Sequence, residues 1–155
     1  MSLPVRKPLR LKNYDYSSDG YYFVTICTQN KKKYFGEISA SNHMRFSKIG
    51  LIAKKHIENI QKHYSNVRID RYIVMPNHIH MIVVIGCQGL LIDDNKPTLS
   101  NVVGLYKSGV TREVGFSVWQ RLFHEHVIRN ETAYIKISEY IENNSFLWKK
   151  DIFFI

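Results

Sequence analysis

Cysteine is nearly missing from this 155-residue chain: only Cys27 and Cys87 are present. Two cysteines far apart give no disulfide framework and no CxxC metal pair. Reducing, intracellular surroundings fit such a chain best, and Cys27, inside the apolar run 22–27, is expected to be a buried thiol. Acidic residues are also scarce. Thirteen Asp and Glu face twenty-two Lys and Arg, for a formal net charge of +9. A small domain this basic points to an acidic partner, with nucleic acid first and an anionic membrane surface second. A solvated basic surface without a partner is the plain alternative. No apolar run approaches the length of a membrane span. Residues 1–10 are basic, but the apolar stretch of a signal peptide does not follow. Both absences weaken the membrane reading and lead us to expect a cytoplasmic, nucleoid-associated protein. There is no P-loop pattern, no repeat and no low-complexity stretch. One domain over 1–155 is the default at this length.

Aromatics, by contrast, are plentiful, with ten Tyr and eight Phe. Residues 1–20 read as a basic arm and turn-rich loop. Residues 21–28 are β-branched and aromatic and read as a strand, followed by three lysines and a hairpin arm at 34–38. Residues 47–64 show a helical apolar period at Ile49, Ile52, Ala53, Ile57, Ile60 and Tyr64. Residues 67–75 and 78–85 read as two strands around the turn Pro76-Asn77. Residues 86–97 are expected to form a mobile loop. Thr98 can cap a helix with the stripe Leu99, Val102, Val103, Tyr106 and Val110. Residues 118–128 read as a strand or extended segment, and Asn130 can cap a last helix running to about 144. The order β-α-β-β-α-β plus a final helix predicts an α+β fold. Its antiparallel sheet would be ferredoxin-like or RRM-like, with helices on one face and a C-terminal helix.

Chemistry concentrates in two places. Alternation along a strand puts His78 and His80 on one face with Ile82 and Val84, while Ile79 points the other way. Two imidazoles so spaced can grip one metal ion from one side. For a bare His-x-His, two hydrogen-bonded core histidines explain the spacing equally well. His124-Glu125-His126 repeats that spacing. Its charged middle residue suggests a less buried strand with a structural or DNA-facing role, and a second metal pair is the weaker alternative. On the last helix, Ala133, Ile137, Tyr140 and Asn144 fall on one stripe. Tyr140 alone could be an ordinary half-buried aromatic. An inward Asn144 one turn later must find a polar partner, and a metal on the histidine pair is one.

Taken together, Pro76-Asn77-His78-Ile79-His80, Trp119-Gln120-Arg121, Glu125-His126, Ile128-Arg129 and Tyr140-Ile141-Glu142-Asn143-Asn144 resemble the HUH superfamily of single-tyrosine transposases. The similarity is to the REP-associated tyrosine transposases and their insertion-sequence relatives. Residues 22–28, 35–38 and 106–108 extend it over nearly the whole chain. The resemblance implies a single-strand DNA endonuclease and strand transferase. In it His78, His80 and Asn144 hold Mg²⁺ or Mn²⁺, and Tyr140 attacks the phosphodiester to give a 5′-phosphotyrosine. It implies single-stranded or hairpin DNA as partner, and relatives include dimers, so a homodimer is an open possibility. Ser145 stands where the family usually has proline, and residues 86–97 lack the proline-rich look of relatives. Basic and aromatic candidates for DNA contact are Arg6, Lys7, Arg10, Lys12, Lys107, Arg112, Trp119, Arg121 and Arg129. Two other readings are a hairpin-binding protein that does not cut, and a nickase of the replication-initiator or relaxase type.

Overall fold

The computed structural model describes residues 20–86 and 97–148. The expected arm at 1–19, with Arg6, Lys7, Arg10 and Lys12, lies outside the described residues, as do most of the loop expected at 86–97 and Cys87.

β-branched and aromatic residues dominate Gly20–Cys27, which forms β1. A short hairpin follows, β2 (Gly36–Ile38) with β3 (Met44–Phe46). Helix α1 (Lys48–His63) starts where Ser47 Oγ accepts from the Gly50 amide, a cap worth about 1 kcal/mol. Gly50 lies against the Phe35 carbonyl, and a Cβ there would sit 2.1 Å from that oxygen. Strands β4 (Val67–Met75) and β5 (His78–Ile85) form a hairpin through Pro76-Asn77. Helix α2 (Leu99–Val114) opens with a capping box between Thr98 and Asn101 and closes on Gly115 at φ 97°. Strand β6 (His124–Val127) and helix α3 (Glu131–Asn143), capped by Asn130, complete the described chain.

The main sheet has the order β4-β5-β1-β6, and all its pairs are antiparallel. This is the ferredoxin-like arrangement expected of the element order. Helices α1 and α2 cover one face. Their apolar stripes meet Val24, Ile26, Ile79, Met81, Val83 and Ile85. The opposite face carries Tyr21, Ile82 and Val84, which pack with Tyr134 and Ile141 of α3. The alternation read in β5 is therefore the real division between two cores, and His78 and His80 belong to the α3 face.

Two expectations need correcting. Of residues 118–128, only the four of β6 form a strand. Trp119 makes one isolated bridge to Thr28, and its neighbour Gln120 is tied to the Cys27 carbonyl. On α3, the buried stripe is Tyr134, Ser138 and Ile141, while Ala133, Ile137 and Tyr140 flank it. The helix leans toward β4, where Tyr134 donates to Asp70 and Arg71 pairs with Glu142 at 2.9 Å. Asp70 is the extra residue at a bulge between Ile69 and Arg71, which turns its carboxylate to α3.

Candidate functional site

Pairing between β1 and β5 sets the site. Cys27 lies opposite His78, and Thr25 opposite His80. Both imidazoles are fully buried. Asn77 Oδ1 accepts from His78 Nδ1 at 2.8 Å, and His80 Nδ1 pairs with Thr25 Oγ1 at 2.8 Å. A hydrogen bond at one ring nitrogen fixes the ring and leaves the other, Nε2, as the atom that could ligate a metal. The two rings stand 4.6 Å apart between centroids, close enough to address one point.

Helix α3 brings Tyr140 onto this pair. Its ring meets His80 at 5.2 Å and Phe23 at 6.2 Å between centroids. Phe23 also packs on His80, at 5.2 Å. One turn after Tyr140 comes Asn144, which is completely buried, and neither its Oδ1 nor its Nδ2 has a hydrogen-bond partner. One turn further, the Trp148 ring stacks on His78 at 6.1 Å. Asn144 thus lies between two side chains that rest on the two histidines. An unbonded buried amide is costly, by about 1–3 kcal/mol, and such a group in a native fold calls for a partner such as a water, an ion or a ligand. Two imidazoles and an amide oxygen could together ligate a divalent metal ion when substrate oxygens complete the shell. Among the described residues no group of three His, Cys, Asp or Glu could hold a metal.

Sequence reasoning missed four members of this cluster: Phe23, Thr25, Asn77 and Trp148. Asn77 was adjacent to a named ligand, so its role was within reach. Thr25 and Phe23 depend on the β1–β5 register, which joins residues 55 apart in the chain.

The DNA-contact candidates divide. Arg121 and Arg129 are exposed at the two ends of the segment carrying β6. Arg121 also lines a cavity of about 410 Å³ with Gln29, Asn30, Lys31 and Gln120. Arg112 is exposed on α2, on the side of the sheet away from the histidines. Lys107 is a strut: its Nζ donates to the carbonyls of Gln120, at 2.8 Å, and Arg121, at 3.3 Å. Partial burial pushes its pKa down. Trp119 is a core residue. It packs against Phe35 and Tyr106 and donates Nε1 to the Lys107 carbonyl. Arg10 lies outside the described residues. His124 and His126 are exposed, as the charged Glu125 between them suggested.

No family model matches the chain. Among solved structures, it is similar to a REP-associated tyrosine transposase bound to a REP hairpin, with a TM-score of 0.61 at 22% identity, over 97% of this chain and 74% of that one. A protein from Deinococcus radiodurans described as a candidate transposase gives a TM-score of 0.50 at 15% identity, over 86% of this chain and 95% of that one. The chain has a transposase-like fold. In sequence, it is 38% identical to an uncharacterized protein of Haemophilus influenzae (strain Rd), over 97% of this chain and 93% of the other. The chain belongs to the same family as that protein. No helix among the described residues is long and apolar enough to cross a membrane.

Proposed function

We propose that this protein is an HUH-type transposase, a single-strand DNA endonuclease and strand transferase that uses Tyr140 as its nucleophile. One observation carries the reading: the Tyr140 ring rests on His80, on the face of the sheet where Asn144 buries an amide without a partner. His78, His80 and Asn144 would hold Mg²⁺ or Mn²⁺, which when bound withdraws charge from a scissile phosphate and orients it. Tyr140 is half-buried, so its phenol can reach a substrate while the ring stays fixed by His80 and Phe23. Its oxygen attacks phosphorus and gives up its proton. The bond from phosphorus to the 3′-oxygen breaks, and that oxygen leaves as a hydroxyl. The phosphodiester energy is kept in a 5′-phosphotyrosine, so another 3′-hydroxyl can later rejoin the strand. Asn77 and Thr25 keep both imidazoles in place throughout. The hairpin carried by the structural neighbour and the charge of +9 support hairpin-bearing DNA ends as substrate.

The test is a denaturing gel of the protein with end-labelled, hairpin-bearing single-stranded DNA and Mn²⁺. A covalent protein–DNA band is expected, lost on chelation and lost in Tyr140→Phe. DNA binding without any covalent band would favour a hairpin-binding protein that does not cut. A band that survives Tyr140→Phe would remove Tyr140 from the role.

A further inference from the structure

The second His-x-His, at 124 and 126, shares a face of the sheet with the first. Strand β1 lies between β5 and β6, and its register links them. Thr25 is opposite His80 on one side and His124 on the other. Phe23 is opposite Ile82 and His126. Directly opposed residues project to the same face, so both edge imidazoles lie on the side of the candidate site. Strand spacing puts the backbones at His80 and His124 about 10 Å apart, with Thr25 between them. Glu125, opposite Val24, lies on the other face.

Helix α3 leaves this part of the floor bare. Its ties run to β4, through Tyr134 to Asp70 and Glu142 to Arg71. All four residues of β6 are exposed. Tyr140 stands at the border, on His80 and Phe23, where the covered floor ends and the open floor begins. Among the described residues, a strand approaching Tyr140 along the sheet finds the β4 side closed by the helix and the β6 side open. There it meets two imidazoles, with exposed Arg121 and Arg129 beyond them in the chain.

We propose that His124 and His126 form the landing surface for the unpaired nucleotides next to the scissile phosphate. Imidazole faces stack on bases of any sequence, and ring N–H groups donate to phosphate. The flanking arginines supply charge complementarity to the backbone. A second metal site is a poorer use of the pair, since among the described residues no third His, Cys, Asp or Glu joins it.

The inference rests on the DNA reading above but is tested by binding alone. Fluorescence anisotropy would compare a DNA hairpin with and without a short single-stranded tail, for wild type and for His124→Ala/His126→Ala. Wild type is expected to bind the tailed hairpin more tightly. The double variant is expected to lose about tenfold on the tailed form and nothing on the blunt one. Both positions are exposed, and circular dichroism checks the fold. A variant that keeps the gain from the tail, an equal loss on both DNAs, or a wild type without any gain would each overturn the proposal. Failure of Tyr140 to form an adduct would leave this binding result standing, so the two readings fail separately.

Discussion

Tyr140 meets His80 with 5.2 Å between ring centroids and 62° between ring planes, while Thr25 holds Nδ1 of the same imidazole. The helix and the strand therefore meet at this pair of rings.

His78→Ala separates a metal ligand from a core histidine. The substitution is expected to abolish DNA cleavage while hairpin binding stays within a few-fold of wild type, measured by gel and by anisotropy. The fold should persist, because β5 is anchored from the other face by Ile79, Met81, Val83 and Ile85. Loss of the circular dichroism spectrum would instead make His78 a structural residue.

The strands of that anchor were legible in the sequence. The bounds 67–75 and 78–85 emerge from alternation around Pro76-Asn77, and they match β4 and β5. Thr98 and Asn130 marked helix starts through their capping chemistry. What was hidden depends on tertiary placement. The tilt of α3 toward β4 rotates its buried stripe to Tyr134, Ser138 and Ile141, and this leaves Tyr140 half-exposed. For Trp119 composition left two readings, a core residue or a platform for a base, and tertiary packing puts it in the core with its indole N–H on the Lys107 carbonyl. No periodicity reveals that His80 and His124 flank one threonine, because strand order is set by long-range pairing.

Asn144→Leu opposes stability to function. Removing a buried amide that bonds to nothing is expected to raise the stability of the metal-free protein, by about 1 kcal/mol in urea unfolding. The same variant should lose the rise in melting temperature that Mn²⁺ gives wild type. A large destabilisation of the metal-free variant would show that the amide serves packing.

Trp119 and Arg121 sit close in sequence and should behave oppositely. Trp119→Ala is expected to cost about 3–5 kcal/mol of stability, because a fully packed indole is removed. Arg121→Ala should leave melting unchanged and weaken DNA binding. Its salt dependence should become shallower by about one unit in the slope of log K against log salt. An unchanged slope would remove Arg121 from the phosphate path.

The role of Tyr140 can be read directly from a peptide map. The covalent product formed with Mn²⁺ and single-stranded DNA would be digested with trypsin and nuclease and analysed by mass spectrometry. Cleavage after Lys136 and Lys149 releases residues 137–149, which contain a single tyrosine, Tyr140. The nucleotide-derived mass is expected on this peptide and on that side chain. The same mass on any other peptide would contradict the account.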